Sequence, residues 1–480
     1  MRSDLILVIV GRLFAAIMAL ITMRVVTSFL SPEQYGELAL LVTVQMFCGL
    51  FLINPIGQHI NLHTHAWWDD GTLSARLRGF RAYVLVISLL GGVIIIALGK
   101  FDLKGQFIGT TFAMFAMVVA ATWNATLIPI LNMLGFRAAS VFWSTITVVI
   151  GLASSILLVM WLQSAIAWFV GQVIGMTLGA LGAKVILKRH GLQAKHDQLR
   201  LPLLDKNTIV TYCLPLAVAT GLMWIQLSGY RFLIKAYWGF EQLGFLVIGL
   251  QIAGQIFSLA ESLAMQFLYP LFYRRVTDHE KHIEVELAFS DLLNTLVPIY
   301  LVLAGFLILT AQYLLQILVA PQFKDSISFV FLGAGIELCR VLGNLVSNAA
   351  HVKRNTLTLA LPYAVGSVIV LTLIYMASVL HMHIYYAALT LLLGGFVTLI
   401  SILISMYRQI KFSLDCKRCL FGVFVMLAMT TLMLCAPKVS EVSLASGMLV
   451  LVMIPTAIIL LLLVWKNPAL HRLLNAQLRN

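Results

Sequence analysis

The sequence predicts an all-α polytopic membrane protein with about 14 transmembrane helices, since each crossing takes roughly 20 apolar residues. Of its 480 residues, 61% are hydrophobic and only 11% are charged, and the mean hydropathy is +0.98. A soluble globular chain is closer to half apolar and one quarter charged. This composition excludes a disordered protein, a disulfide scaffold and a secreted enzyme, and it indicates that most apolar side chains face lipid.

Apolar runs of spanning length recur along the whole chain. The first six lie near 5–29, 37–57, 82–100, 107–130, 139–162 and 165–187. After a polar break, eight more lie near 209–234, 243–270, 288–310, 326–349, 357–379, 384–407, 418–436 and 444–465. An even number of crossings places both chain ends on the same side of the membrane.

The positions of the 32 Lys and Arg residues predict the orientation, because short loops rich in these residues stay in the cytoplasm. With the N-terminus inside, most of them fall in cytoplasmic segments. Those on the other side are Lys100, Lys104, Lys235, Lys324 and Lys438. We therefore expect a protein of the bacterial inner membrane with both termini in the cytoplasm. Its net charge of +13 then faces anionic lipid headgroups, and a nucleic-acid partner is not needed to explain it.

A short pattern of Arg, Glu-Gln and Gly occurs once in each half of the chain. Its members are Arg24, Glu33, Gln34 and Gly36 in the first half and Arg231, Glu241, Gln242 and Gly244 in the second. Six predicted spans separate the copies, so both run through the membrane in the same direction. Parallel repeats of this kind are one of two common transporter plans, and they place the substrate path between the halves.

The repeat predicts four regions in the chain. We expect a six-helix lobe over 1–187, a cytoplasmic linker over 188–207 and a second six-helix lobe over 208–407. Two additional transmembrane helices and a cytoplasmic tail follow over 408–480. The two lobes are expected to surround a central cavity.

Four segments resemble a known superfamily. The residues at 24–36, their repeat at 231–244, and the segments at 212–216 and 269–274 are similar to the multidrug/oligosaccharidyl-lipid/polysaccharide (MOP) exporter superfamily. Within it, the pattern is most similar to the polysaccharide-transport branch, the Wzx-type O-antigen flippases. The similarity covers the whole length in span number and loop pattern, and it is carried by short motifs.

The resemblance implies a function. Members of this branch move an undecaprenyl-pyrophosphate-linked oligosaccharide from the cytoplasmic to the periplasmic leaflet, for O-antigen, capsule or exopolysaccharide. It further implies alternating access of the two lobes, with spans 13 and 14 outside the twelve-span core. A polysaccharide polymerase machinery would then be a partner that takes up the product.

Four arginines within predicted spans are the candidate substrate-binding residues: Arg12, Arg24, Arg231 and Arg340. A charge at the bilayer centre costs roughly 2.5 to 3.5 kcal/mol even on the lenient insertion scale, so each needs a cavity, a partner or an interface. A guanidinium makes paired hydrogen bonds to phosphate, which predicts that these residues receive the pyrophosphate. The alternatives are snorkelling for Arg24 and Arg231, and an ion pair with Glu337 for Arg340.

Three carboxylates are candidates for binding a coupling ion, H⁺ or Na⁺. Glu261 in the eighth span comes first and Glu337 second, while Asp291 lies near the cytoplasmic end of the ninth span. The alternative for Glu261 is a neutral acid bound to a neighbouring helix. Cys416 and Cys419 have the spacing of half a zinc site without a second pair nearby, and no Walker pattern occurs, so we expect neither a metal site nor a cofactor.

Three other functions stay open as alternatives. A multidrug or cation exporter of the same superfamily fits the fold, although the intramembrane arginines favour an anionic cargo. A peptidoglycan-precursor lipid flippase fits as well, but the charged pattern expected in its first span is missing. A membrane polysaccharide polymerase is disfavoured because every predicted periplasmic loop is short.

Overall fold

The computed structural model describes residues 2–99, 107–192, 208–278, 282–353, 355–439 and 441–478, and these ranges contain helices and turns but no strand. Twelve of their helices are long and apolar enough to cross a membrane, and a shorter apolar helix covers Leu13–Phe29. One of the twelve, Ile209–Val276, is 68 residues long and contains both the seventh and the eighth predicted spans. The prediction of an all-α, multi-pass membrane protein is confirmed.

The chain divides into two compact units, Met1–Phe232 and Leu233–Asn480. The helices that begin in the first unit are α1 (Arg2–Phe29), α2 (Pro32–Met46), α3 (Asn54–Asp69), α4 (Leu73–Gly99), α5 (Phe107–Met133), α6 (Arg137–Trp161), α7 (Ala165–Arg189), α8 (Leu214–Trp224) and α9 (Arg231–Asp278). Widened π-helical turns at Phe47–Ile53, Ile209–Cys213 and Ile225–Gly229 join some of them. Most of the predicted linker, 193–207, lies outside the described residues, so the four predicted regions stay a prediction.

The repeated Glu-Gln pattern has a local structural explanation in both halves. In the first, Ser31 caps α2 by accepting a hydrogen bond from the Gln34 amide, while the Gln34 side chain accepts one from the Ser31 amide. This reciprocal capping box fixes the start of a helix. In the second half, Gly239 adopts φ 84° and ψ 177° inside α9, a conformation that glycine reaches without strain. In each half the Glu-Gln pair therefore follows directly after a break between helical segments.

A seam of glycines joins α6 to α7. A Cβ atom at Gly175 would lie 2.5 Å from the Cα of Gly151, and one at Gly171 would overlap the backbone nitrogen of Ser155. Helix backbones in membranes approach closely where side chains are small, which strengthens van der Waals packing in the absence of a hydrophobic driving force. Any larger side chain at these two glycines would push the helices apart.

The second unit contains most of α9 and the remaining helices: α10 (His282–Leu318), α11 (Ile327–Val352), α12 (Ala360–Val379), α13 (Ile384–Tyr407), α14 (Cys416–Cys435), α15 (Val442–Trp465) and α16 (Pro468–Leu478). Short 3₁₀ turns at Pro321–Ser326 and Thr356–Leu359 precede α11 and α12. Helices α14, α15 and α16 all pack against α10. The apolar part of this contact contains Val302, Leu309, Val425 and Met429.

Polar contacts anchor the ends of the additional helices to α10. Asn294 donates a hydrogen bond to the Ser413 carbonyl at 3.0 Å and accepts one from the Asp415 amide at 2.7 Å. The buried side chain of Asn467 donates to Thr295 at 3.3 Å and accepts from the Ala469 amide at 3.0 Å, which caps α16. These bonds fix the loop before α14 and the start of α16.

Candidate functional site

The predicted site residues are divided between the two units. The Met1–Phe232 unit contains Arg12, Arg24 and Arg231, and the Leu233–Asn480 unit contains Glu261, Asp291, Glu337 and Arg340. Arg12 belongs to α1, but its side chain lies outside the described part of the structure. Arg24, also on α1, is half-buried.

Arg231 begins α9 and contacts α2. Its Nη1 donates a hydrogen bond of 3.3 Å to the hydroxyl of Thr43, and it lies close enough to Tyr35 for a direct electrostatic interaction. Its Nε is buried and has no hydrogen-bond partner among the described residues. A buried guanidinium nitrogen without an acceptor is costly.

The surroundings of Arg231 are built from widened helical turns. Trp224 precedes the π-helical turn at Ile225–Gly229 and donates its indole N–H to the Thr43 carbonyl at 3.2 Å. The ring of Trp224 contacts that of Phe47 edge to face at 5.0 Å, and Phe47 begins another π-helical turn, Phe47–Ile53. Such turns are rare and occur frequently at functional sites. No local sequence pattern predicts them.

Arg340 lies between two carboxylates. Its Nη2 is 2.8 Å from Glu261 Oε2, and its Nε donates a hydrogen bond of 2.6 Å to Glu337 Oε2. The three side chains are only 15 to 21% exposed. We call Glu261, Glu337 and Arg340 the acidic triad. Its formal charge is one negative unit when both carboxylates are ionised, and an excess charge at this depth is expensive.

The triad continues into neighbouring polar groups. Asn344, one turn after Arg340 on α11, donates a hydrogen bond of 3.0 Å to Glu261 Oε1. Tyr300 of α10 and Tyr363 of α12 lie within electrostatic range of Glu261 and Arg340. The pairing of Glu337 with Arg340 follows from their spacing on one helix, whereas the pairing of Glu261 with Arg340 joins α9 to α11 and depends on the tertiary fold.

Asp291 lies outside this triad. It is 2% exposed, and it binds Arg275 at 3.0 Å and Arg472 of α16 through a bidentate contact with an Nε distance of 3.0 Å. The hydrogen bond to Asp291 raises the pKa of Arg472 above its usual range. Two arginines already balance this carboxylate, and its contacts tie the C-terminal helix to α10. Its role in ion coupling stays a prediction.

No protein-family model matches the sequence. No curated protein matches it either. The structure is similar to that of lipid II flippase MurJ in an inward closed conformation, with a TM-score of 0.71, 14% sequence identity, and coverage of 97% of this chain and 99% of that chain.

The structure is also similar to multidrug resistance MATE family transporters of the MOP superfamily. An inward-facing example has a TM-score of 0.56 and 13% identity, with 87% of this chain and 96% of that chain covered. An outward-facing example has a TM-score of 0.52 and 14% identity, with 88% and 96% covered. At these identities the likeness establishes the fold. The chain therefore has the fold of MurJ and of MOP-superfamily MATE transporters, while membership of the polysaccharide branch stays a prediction.

Proposed function

We propose that this protein is a flippase of the bacterial inner membrane. It moves an undecaprenyl-pyrophosphate-linked oligosaccharide from the cytoplasmic to the periplasmic leaflet by alternating access. The MurJ-like fold and the sequence resemblance to polysaccharide flippases support the proposal. The product serves the synthesis of O-antigen in lipopolysaccharide, of capsule or of exopolysaccharide, where a polymerase machinery takes it up.

The environment of Arg231 is the observation that best supports an anionic substrate. Its guanidinium has one long hydrogen bond to a hydroxyl, and its buried Nε has no acceptor among the described residues. Phosphate oxygens satisfy guanidinium donors in pairs, and charge-assisted bonds of this kind are about twice as strong as neutral ones. Arg231 therefore binds the pyrophosphate, and we assign Arg12 and Arg24 of the same unit to the same task.

The acidic triad couples transport to an ion, H⁺ or Na⁺. With both carboxylates ionised it carries an excess negative charge within a membrane span, which a bound cation or proton neutralises. Neutralising Glu261 or Glu337 weakens its hold on Arg340, because a charged hydrogen bond becomes a neutral one. Arg340 can then meet the substrate anion. Ion binding and anion binding at this arginine are thus linked.

A lipid II flippase is the second candidate. The TM-score is 0.71 with MurJ, compared with 0.56 and 0.52 with the two MATE structures. A multidrug exporter is the third, since the excess negative charge of the triad would also suit a cationic drug. The buried Nε of Arg231, which has no acceptor within the described part of the chain, favours the first two candidates.

The proposal is tested by deleting the gene in its own host and analysing surface polysaccharide together with lipid-linked repeat units. We expect loss of long surface chains and accumulation of single undecaprenyl-linked units on the cytoplasmic side. Intact surface glycan with altered drug sensitivity would support the exporter instead. Blocked peptidoglycan synthesis would support lipid II, and unpolymerised units in the periplasm would support a polymerase.

A further inference from the structure

A row of polar side chains runs along the contact between α9 and α11. Tyr273 donates a hydrogen bond of 2.8 Å to Asn348 Oδ1, and Asn348 donates one of 3.2 Å to the Tyr269 hydroxyl. Asn348 Nδ2 also lies 3.2 Å from the Asn344 carbonyl, and Asn344 binds Glu261 at 3.0 Å. We call Tyr273, Tyr269, Asn348 and Asn344 the polar row. It connects an exposed tyrosine with the acidic triad through hydrogen-bonded neighbours.

The polar row has the length of half a membrane. Tyr269 lies about two helical turns after Glu261 on α9, and Tyr273 lies about one turn after Tyr269. From Glu261 to Tyr273 the helix rises about 18 Å at 1.5 Å per residue. The hydrocarbon core is about 30 Å thick, so the row extends from its middle to one surface. That surface is the predicted cytoplasmic one, since Arg274 and Arg275 follow directly.

Exposure is lowest in the middle of the polar row, at Asn348, and highest at its surface end, at Tyr273. Asn348 is 5% exposed and Tyr273 is 36% exposed. A pair of helices can be held together by one or two polar contacts, and each is worth only about 1 kcal/mol or less in a membrane. A row that continues from the triad to an exposed hydroxyl exceeds what helix pairing requires. Polar groups in series at this depth offer water hydrogen-bond partners.

The groups that face Glu261 come from four helices. Tyr269 belongs to α9, Tyr300 to α10 and Tyr363 to α12, and their hydroxyls are neutral near pH 7. Glu337 and Arg340 of α11 are the charged neighbours. The charge state of this cluster therefore changes through Glu261 and Glu337.

We propose that the polar row is a hydrated path through which the Glu261 carboxyl releases a proton to the cytoplasm. This inference rests on the proposed flippase function, in which a proton moving inward accompanies substrate moving outward. In the step, the O–H bond of the Glu261 carboxyl breaks and the proton passes to a water molecule of the row. The carboxylate left behind takes the hydrogen bonds from Arg340 and Asn344.

The donors around Glu261 favour a proton over Na⁺. Asn344 Nδ2 approaches Oε1, and Arg340 Nη2 approaches Oε2. A hard cation needs several oxygen ligands, and N–H donors directed at the same oxygens repel it. A proton needs only one lone pair of one carboxylate oxygen. The geometry is therefore complete without further ligands.

Cysteine accessibility tests the path. In a variant whose native cysteines are replaced, Asn348→Cys should react with a charged, membrane-impermeant thiol reagent that is added to inside-out vesicles. Leu461→Cys is the matched control, because it lies a similar number of residues from the end of its helix α15 and is 61% exposed in an apolar span. Equal reactivity of the two variants would overturn the path.

Hydrogen–deuterium exchange of the Glu261 carboxyl provides a second test that does not depend on a cysteine at Asn348. The infrared band of the protonated carboxyl, assigned by its loss in Glu261→Gln, should shift within the mixing time after transfer of the reconstituted protein to D₂O. In Tyr273→Phe and Tyr269→Phe, which keep the ring, we expect exchange about tenfold slower, the scale of one lost hydrogen bond. Unchanged exchange in both variants would contradict the proposal.

Failure of the proton path can be distinguished from failure of the proposed flippase function, because neither test contains substrate or measures transport. Rapid exchange through the row in a protein that flips no lipid would refute the proposed function and keep the path. Flipping of lipid-linked sugar by a protein whose Asn348→Cys variant stays unreactive would refute the path and keep the function. Arg189→Ala, an exposed substitution outside the row, should leave exchange unchanged.

Discussion

Arg231 and Arg340 are both arginines within membrane helices, and their surroundings are opposite. Arg231, in the first unit, has a hydroxyl at 3.3 Å and a buried Nε without an acceptor among the described residues. Arg340, in the second unit, has two carboxylates at 2.8 and 2.6 Å. The fold thus gives Arg340 two carboxylate partners, whereas the described residues give Arg231 one hydroxyl acceptor.

From this difference in surroundings we expect different roles for Arg231 and Arg340. A buried charge that the protein does not neutralise is costly, so a ligand of opposite charge gains the energy of neutralising it. A charge held by two carboxylates instead responds to the protonation of either one. The first arrangement suits binding of an anion, and the second suits coupling of that binding to an ion.

Asp291 presents the inverse of the acidic triad. One buried carboxylate binds two arginines, and Arg472, one of these, has a side chain that is 57% exposed. The excess positive charge can therefore reach water and lipid headgroups, whereas the excess negative charge of the triad lies within a span. From this contrast we expect Asp291 to hold α16 in place and Glu261 and Glu337 to exchange a proton.

Removing the arginine of the acidic triad should have the largest effect of the substitutions considered, a loss of folding stability. Arg340→Met leaves two carboxylates in the membrane without their cation, and removing one partner of a buried ion pair typically costs about 3 to 5 kcal/mol. Thermal unfolding in detergent should show this loss. The triple variant with Glu261→Gln and Glu337→Gln should regain most of it, because no uncompensated charge remains. An Arg340→Met protein as stable as the wild type would refute the compensation.

Arg231→Ala should change transport far more than stability. It removes one long hydrogen bond of the fold, but it removes charge-assisted bonds to phosphate worth about 1.5 to 3 kcal/mol, or roughly 10- to 150-fold in affinity. Complementation of the deletion strain, with membrane abundance measured in parallel, checks this. Arg231→Lys should rescue partly, since it keeps the charge and loses the planar fork.

The matched control is Arg189→Ala, which removes an exposed arginine of the same unit and should complement fully. If Arg231→Ala restores surface polysaccharide at normal abundance, Arg231 does not belong to the anion site. If its abundance falls as far as that of Arg340→Met, the contrast between the two arginines disappears.

A substitution at the clamp should have the weakest effect of the three. Asp291→Asn keeps the shape and some hydrogen bonding but removes the charge, so we expect a loss of about 1 kcal/mol. Limited trypsin digestion should cut the chain near Arg472 faster than in the wild type, because α16 opens more often. Transport should stay near the wild-type level. Loss of ion coupling in this variant at normal abundance would return Asp291 to the coupling residues.

Much of the fold could be predicted because composition and hydrophobic runs directly reflect lipid as the solvent. The start of α2 is also predictable from Ser31 and Gln34, whose spacing is that of a capping box. The pairing of Glu337 with Arg340 follows from helical spacing alone. These features depend on residues close together in sequence or on average polarity.

The other site features depend on contacts between distant helices. Glu261 and Arg340 meet only because α9 packs against α11, and Asn348 joins Tyr269 and Tyr273 for the same reason. The Arg231 Nε has no acceptor among the described residues, and the widened turn begins at Phe47; both features depend on the tertiary fold. Local spacing contains no information about such contacts, so the charged residues could be predicted without their partners.

The most direct test is transport by the purified protein in liposomes. An undecaprenyl-pyrophosphate-linked saccharide with a fluorescent label is placed in the membrane, and its appearance in the opposite leaflet is followed with a membrane-impermeant quencher. We predict flipping by the wild type, acceleration by an imposed proton gradient and almost none with Arg231→Ala. If the wild-type protein in liposomes leaves the labelled lipid in its original leaflet but transports a cationic dye, the proposed flippase function is contradicted and the exporter is supported.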